Sequence, residues 1–215
     1  MAFLNPEFAD NPDPRCACVL LLDTSGSMAG APIDELNAGL RAFQADVQED
    51  PLARRRLEIA IITFGGVVSI AQNWVSAGAF QAPVLTTQGG TPMGEAVLRG
   101  LQMLSTRKQE YKEAGISYYR PWVFLITDGA PSDAWQPAVT AVQQETQRNG
   151  INFFAVGVNA ADMSTLKAFT ERTLLLHGLN FRELFLWLSQ STKSISRSRP
   201  NQQVSLPAVT FGSPA

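Results

Sequence analysis

Four strand-length apolar runs, separated by segments of helical periodicity, constrain the fold of this 215-residue chain more than any other feature. The runs are ACVLLLD, LEIAIITF, PWVFLITD and INFFAVGV, at residues 17–23, 57–64, 121–128 and 151–158. A strand that is apolar at every position is buried on both faces, as in a parallel sheet covered by helices. The pattern therefore predicts an α/β fold with a doubly wound, mostly parallel central sheet and helices on both faces.

One hairpin adds an antiparallel edge strand to this predicted sheet. Gly65 and Gly66 mark a tight turn, after which residues 67–71 return beside the second run. Apolar residues at helical spacing predict five helices, which contain Ile33 to Val47, Met93 to Leu104, residues 134–148, Met163 to Phe169 and Leu184 to Leu188. A short strand at residues 173–178 precedes the final helix.

We expect one domain at residues 15–196, with an extension at 1–14 and a tail at 197–215. The tail is rich in serine and proline and has no periodicity, so we expect it to drape over the domain or to be disordered.

Charge and cysteine content exclude several classes of function. The formal net charge is −2, so there is no basic excess to neutralise nucleic-acid phosphates. The first residues contain neither a basic start nor a long apolar run, and no segment approaches about 18 uninterrupted apolar residues, so we expect neither a signal peptide nor a membrane span. Cys16 and Cys18 are predicted to be reduced, packed thiols, and we expect a cytoplasmic location.

Three polar loops follow predicted strands or begin a predicted helix, with the sequences DTSGS, GGTPMGE and TDGAPSD at residues 23–27, 89–95 and 127–133. In open α/β sheets, ligands bind at the carboxyl ends of the strands, near the switch in strand order. If the first and third apolar runs are neighbours, Asp23 and Asp128 face each other there. Two such carboxylates repel and are costly to desolvate, and a divalent cation resolves the conflict.

The available ligand atoms in these loops are all oxygens, which suits a hard cation and not a thiolate or imidazole site. The small number of ligands favours Mg²⁺, with Mn²⁺ or Ca²⁺ as alternatives.

The D-x-S-x-S pattern of Asp23, Ser25 and Ser27, with a separate Thr91 and with Asp128 in T-D-G, resembles the metal-ion-dependent adhesion site of von Willebrand factor A domains. The resemblance extends over residues 15–196. It is closest to bacterial proteins of the TerY type, found with tellurite-resistance and stress genes, through the stretches DTSGSM, GGTPMGEA, LITDGAPSD, FFAVGVNAADM and GLNFRELFLWLS.

This resemblance implies a metal-dependent protein-binding module and not an enzyme. Ser25 and Ser27 would coordinate the cation directly, Thr91 directly or through water, and Asp23 and Asp128 through water or by one contact. An Asp or Glu carboxylate of a protein partner would complete the shell. A kinase or phosphatase of the same operon, in a stress or tellurite-resistance complex, is a candidate partner. The repulsion argument predicts that Asp23→Ala folds, with a gain in stability, but no longer binds this partner.

Other functions remain as alternatives. The domain would partner an AAA-type ATPase if it acted as in metal-chelatase complexes. A Mg²⁺-dependent phosphatase of the haloacid-dehalogenase type needs D-x-D at the first strand end, where this chain has Ser25. A serine hydrolase needs G-x-S-x-G and a histidine, whereas the single histidine, His177, is distant in sequence. No P-loop motif occurs.

Four further features of the sequence are predicted to have structural roles. Asp133 is predicted to cap the helix that follows it, with Gln136 three residues on. Trp135 is predicted to pack over the sheet, the arginines at 54–56 to form a solvated turn, and His177 to end a strand.

Overall fold

A computed structural model describes residues 11–159, 161–198, 207–210 and 212–214, and in this part of the chain seven strands form one sheet. The strands are β1 (Cys16–Asp23), β2 (Leu57–Gly65), β3 (Val67–Ser76), β4 (Trp122–Thr127), β5 (Asn152–Gly157), β6 (Thr173–Leu176) and β7 (Gly212–Pro214). Their order across the sheet is β3-β2-β1-β4-β5-β6-β7. The strand order therefore changes direction between β1 and β4, which is where an open α/β sheet binds its ligands.

Six α-helices connect these strands within the described residues: α1 (Ala31–Glu49), α2 (Pro51–Arg56), α3 (Met93–Glu113), α4 (Gln136–Gln147), α5 (Met163–Phe169) and α6 (Phe181–Ser196). Pro32 lies in the first turn of α1, where a missing N–H costs no hydrogen bond. The Asp50 side chain caps α2, and the Asp162 side chain caps α5. None of the helices described is long and apolar enough to cross a membrane.

The helices cover both faces of the sheet, and the side chains of β1 alternate between the two cores. Cys16, Cys18, Leu20 and Leu22 pack with α1 and α6, whereas Ala17, Val19 and Leu21 pack with α3, α4 and α5. All of these side chains are at most 1% exposed. Two-sided burial explains the uninterrupted apolar run, and it leaves both cysteines as free, buried thiols on one face.

The predicted fold class is confirmed: parallel pairs join β1, β2, β4, β5 and β6, and β3 is an antiparallel edge. The prediction omitted a second antiparallel edge strand, because β7 pairs with β6 inside the segment expected to be a draped or disordered tail. Strand β3 also extends to Ser76, five residues beyond its predicted end. Residues 1–10 of the expected extension, and 199–206, 211 and 215 of the tail, lie outside the described residues.

The arginines at 54–56 form the last turn of α2, immediately before β2, where Arg54 and Arg55 are exposed to solvent, as predicted, and Arg56 is half-buried. Arg55 forms an ion pair with Asp13, and Arg56 donates a hydrogen bond to the Ser196 carbonyl at the end of α6. These contacts attach the start of the described chain and α6 to the edge of the sheet where β2 begins.

A buried ionic cluster also lies where β2 begins, at the opposite end of the strands from the three polar loops. The Glu58 carboxylate is fully buried between Arg15, at 3.0 Å, and Arg107, at 2.8 Å, and it accepts a hydrogen bond from the Tyr111 hydroxyl. Burial raises the pKa of Tyr111 well above its usual value, and the Glu58 carboxylate adds to this effect. The phenol therefore stays protonated and donates, so the buried carboxylate is both paired and hydrogen-bonded.

Candidate metal centre

The first polar loop begins at Asp23, the last residue of β1. The Asp23 Oδ1 atom accepts a hydrogen bond from the Ser25 backbone N–H at 2.8 Å, and Oδ2 accepts one from the hydroxyl of Thr127 at the end of β4. A short 3₁₀ turn, Gly26–Met28, follows and directs the chain towards α1. The carboxylate thus organises its own loop and connects the ends of the two central strands.

Hydroxyl oxygens extend this connection from the first loop to the third. The Ser25 and Ser27 Oγ atoms lie 3.0 Å apart, and the Ser27 hydroxyl donates to Asp128 Oδ1 at 2.7 Å. The side-chain oxygens of these three residues therefore form one continuous polar row across the carboxyl ends of β1 and β4.

The second loop is held against the third by paired backbone contacts. The Thr91 N–H donates to Ser132 Oγ at 2.9 Å, and the Ser132 N–H donates to the Thr91 carbonyl at 2.9 Å. An added Cβ on Gly129 would lie 3.6 Å from Thr91 Oγ1 and 3.8 Å from Ser27 Oγ. The two hydroxyls therefore border the same small space, which stays open because residue 129 is a glycine.

The structure accordingly brings together all five residues that the sequence singles out: Asp23, Ser25, Ser27, Thr91 and Asp128. Asp23, Ser25 and Thr91 are buried, whereas Asp128 is half-buried and Ser27 is exposed. The row of oxygens is thus open to solvent at Ser27 and partly open at Asp128. That these five residues bind a cation stays a prediction.

Burial raises the pKa of the Asp23 carboxyl above its ordinary value, and the charge of Asp128 acts in the same direction. The hydrogen bonds from Thr127 and Ser25 act against this shift. An ionised Asp23 is therefore an unfavourable buried charge that a bound cation would stabilise.

The chemistry of these donor atoms fits a hard divalent cation. The site offers carboxylate and hydroxyl oxygens, and its two carboxylates match the charge of one such ion. No cluster of three or more His, Cys, Asp or Glu side chains that could hold a metal occurs among the described residues. Hydroxyl oxygens would therefore have to supply most of the direct contacts from the protein.

The predicted role of Asp133 as the cap of the helix that follows it is wrong. The Asp133 carboxylate accepts hydrogen bonds from the backbone N–H groups of Gly94 at 3.0 Å and Glu95 at 2.8 Å. It therefore caps α3, the helix that carries the second loop, and not α4, which follows it in sequence. The cap is long-range because the second and third loops lie side by side.

The predicted roles of Trp135, as a packing residue, and of His177, as a strand-end residue, agree with the structure. Trp135 packs partly buried beside Phe169, with ring centroids 6.0 Å apart, against the core on the α3 face of the sheet. His177 follows β6, and its Nε2 lies 2.6 Å from the Ser213 hydroxyl of β7.

Sequence reasoning missed three residues that shape the site: Thr127, Ser132 and Gly129. Thr127 holds Asp23, Ser132 holds the Thr91 loop, and Gly129 keeps the adjacent space open. Their positions within TDGAPSD were the available signal, because a loop that borders a ligand also has to hold its neighbouring loops.

Comparison with known proteins agrees with this fold. The murine protein matrilin-3 is 27% identical over 124 residues, which are 55% of this chain and 25% of that protein. The pilus adhesin SpaC of Lactobacillus rhamnosus GG, in its open conformation, superimposes with a TM-score of 0.69 at 14% identity, over 85% of this chain and 30% of SpaC. The chain thus spans less than a third of the length of either protein.

A manganese-loaded structure of the Plasmodium vivax TRAP protein superimposes with a TM-score of 0.56 at 17% identity, over 81% of this chain and 73% of that one. At such identities the structural likeness shows the fold alone. The family assignment comes from the model for the von Willebrand factor type A domain, which matches residues 18–183, more than half of the chain. The chain therefore belongs to the von Willebrand factor type A domain family, whose members are metal-dependent adhesion and protein-interaction modules and are generally not enzymes.

Proposed function

We propose that this chain binds a protein partner through a divalent cation held by Ser25, Ser27, Thr91, Asp23 and Asp128. The observation that supports this function best is the meeting of three loops at the carboxyl ends of β1 and β4. Their side-chain oxygens form a hydrogen-bonded row that opens to solvent at Ser27. Such a row, with one buried carboxylate, suits a cation that is held on one side and reachable from the other.

The ligand set supports binding of a carboxylate partner in preference to catalysis. Hydroxyl ligands are neutral, so they leave the positive charge of the cation only partly compensated. An Asp or Glu side chain from another protein would complete the coordination and balance the charge. The sequence's single histidine contacts Ser213 and not this site, so it does not assist the serine hydroxyls as a base.

We propose Mg²⁺ as the resident ion, because few protein oxygens and several waters suit its octahedral preference, and Ca²⁺ prefers more oxygens. Mn²⁺ shares these ligands and serves as a spectroscopic substitute.

The cellular setting that we propose is a bacterial cytoplasmic complex for stress or tellurite resistance, in which a kinase or phosphatase of the same operon is a partner. The support for this setting is the resemblance of stretches such as DTSGSM and LITDGAPSD to TerY-type proteins.

Metal binding is tested by Mn²⁺ titration, followed by electron paramagnetic resonance, on the wild type and on two threonine variants. Thr91→Ala removes a hydroxyl that has no hydrogen-bond partner among the described residues, so the variant should fold normally. Its Mn²⁺ affinity should fall at least about ten-fold, as is typical when a metal site loses a supporting group. Thr106→Ala, which removes an exposed hydroxyl from α3, the helix that follows the Thr91 loop, should bind like the wild type. Equal affinity in all three proteins would reject Thr91 as a ligand.

Partner binding is tested by capture from bacterial cytosol with the immobilised chain in Mg²⁺ and in EDTA. Asp23→Asn, which keeps the shape of the side chain and removes its charge, is the matched variant. A protein that the wild type retains in Mg²⁺, but that is lost in EDTA and is not retained by Asp23→Asn, would support the proposal. Capture that is indifferent to EDTA and to the substitution would contradict it.

A further inference from the structure

The two edges of the sheet differ in how they are protected. β7 is a three-residue edge that ends in Pro214, and a short edge with a proline resists pairing with another strand. β3 is a ten-residue edge with the sequence VVSIAQNWVS, which contains no charged residue and no proline. Natural sheets usually blunt such long, neutral edges, and the pairing of β3 with β2 is irregular from Ile70 towards Val75. The regularly paired stretch Val67–Ile70 is therefore the candidate site for strand addition.

In the second half of β3, side chains of the strand itself satisfy two backbone groups. The Asn73 side chain accepts from the Trp74 N–H at 2.8 Å, and the Gln72 side chain donates to the Asn73 carbonyl at 2.9 Å. In the described part of the chain, residues 67–71 make no backbone–backbone hydrogen bond outside their pairing with β2, and the Ser69 carbonyl accepts a long hydrogen bond, 3.5 Å, from the Thr63 hydroxyl of β2. Every second residue of this stretch therefore presents its N–H and C=O groups to the open edge.

Exposed apolar side chains gather along the same stretch. Four large apolar residues of the described chain are exposed, and three of them border this edge: Val67 at 60%, Ile70 at 40% and Val84 at 80%. Val67 and Val84 line a groove of about 320 Å³ on one side of β3, and Ile70 lines a groove of about 520 Å³ on the α3 side. A strand added at the edge would send alternate side chains into these two grooves.

The charge of the α3-side groove specifies the chemistry of the added strand. Arg99, Arg107 and Glu110 line this groove, and Arg107 and Glu110 pair with each other at 2.7 Å. Arg99 forms no salt bridge or hydrogen bond with any residue that the structure describes, so it is the groove's uncompensated charge. A second copy of this chain has no acidic residue in β3 to meet it, and two-fold pairing of the edges would bring two Arg99 side chains onto one face. The groove therefore fits a different protein with an acidic side chain at this position.

We propose that residues 67–71 of β3 form a second protein-binding site, which accepts an extended partner segment as an eighth strand. The segment places small apolar side chains in the Val67 and Val84 groove and an Asp or Glu opposite Arg99. None of the five residues of the candidate metal centre lines either groove, so this site works without the cation.

The test is a nuclear magnetic resonance titration of the chain in EDTA with the peptide VTVDVTV, with VTVKVTV as its charge-reversed counterpart. Saturable shifts should appear at residues 67–71, at Val84 and at Arg99. The acidic peptide should bind about five-fold more tightly than the basic one, the preference typical of an exposed ion pair. Because EDTA removes any cation, this result is independent of the metal-dependent function.

Charge-swap variants decide whether Arg99 sets the preference. Arg99→Glu should bind the lysine peptide more tightly than the aspartate peptide, while Arg41→Glu, an exposed site on α1, should behave like the wild type. Absence of saturable shifts at the β3 edge, or a preference unchanged in Arg99→Glu, overturns the proposal. Concentration-dependent dimerisation by sedimentation, lost on Val67→Lys, would make a second copy the occupant and would also overturn it.

Discussion

Replacing Asp23 by alanine should destabilise the fold even in the absence of any cation. Both oxygens of this fully buried carboxylate accept hydrogen bonds, from the Ser25 N–H and from the Thr127 hydroxyl. Alanine would leave these two donors without an acceptor in a region where both residues are almost completely buried. This reverses the expectation from sequence, in which relief of carboxylate repulsion predicts a gain in stability.

Comparison with Asp23→Asn separates the loss of hydrogen bonds from the loss of charge, because both variants remove the charge and its repulsion from Asp128. Asparagine keeps an oxygen for the Ser25 N–H, and its amide can donate to the Thr127 oxygen, which already accepts from the Gly129 N–H at 3.1 Å. The Thr127 hydroxyl proton loses its acceptor in both variants, so the two differ by the Ser25 hydrogen bond and the amide contact. An unsatisfied buried donor costs about 1–3 kcal/mol, and some relaxation is expected. Asp23→Ala should therefore be less stable than Asp23→Asn by about 1–3 kcal/mol, the cost of leaving the Ser25 N–H without an acceptor.

The assay is urea unfolding in EDTA, followed by circular dichroism, with the slope of the transition checked for constancy among the proteins. Asp34, an exposed aspartate in the first turn of α1, provides the matched control pair. Asp34→Ala and Asp34→Asn should differ by less than about 0.5 kcal/mol. If Asp23→Ala proves as stable as Asp23→Asn, the two hydrogen bonds do not hold the loop, and the reasoning is refuted.

Four further outcomes are expected. Gly129→Ala should keep the stability of the fold but weaken Mn²⁺ binding in a calorimetric titration, because its Cβ would enter the space beside the Thr91 hydroxyl. Asp133→Ala should lower the free energy of unfolding in urea by about 1 kcal/mol, since α3 would lose its cap. Mg²⁺ at about 100 times its dissociation constant should raise wild-type stability by about 2.7 kcal/mol in the same assay, and a smaller gain at saturation would contradict specific binding. Hydrogen bonds, foremost from the Ser164 hydroxyl, lower the pKa of Asp162 from 3.8 to about 2. The ionised Asp162 carboxylate therefore stabilises the fold fully above about pH 4, and this stabilisation is lost as the pH falls towards 2. Asp162→Asn should flatten this part of the acid-unfolding curve.

Much of the fold could be predicted because burial on both faces imposes a pattern on each central strand. β1 is apolar up to its last residue, Asp23, since its alternate side chains enter two different cores, and β4 is apolar up to its last residue, Thr127, for the same reason. The candidate site could be predicted for a related reason. Parallel strands end at one edge of the sheet, so polar residues after β1 and β4 had to become neighbours once the two strands were adjacent.

The missed features depend on partners that are distant in sequence. β7 has three residues and no alternating pattern, and it is a strand only because the edge of β6 offers hydrogen-bond partners. The Glu58 carboxylate interrupts an apolar run, and its burial is explained only by Arg15 and Arg107, which reach it from other elements.

The sequence by itself thus determined most of the strands and helices, which strands are buried, and which oxygen-bearing residues stand at the strand ends. Those properties follow from local periodicity and from the covalent order of the chain. Only the tertiary structure decided that Asp133 caps α3, that Thr127 holds the Asp23 carboxylate, and that β3 leaves an open edge beside Arg99. These properties depend on which groups meet across loops and sheets, and distances between residues far apart in the chain exist only after folding.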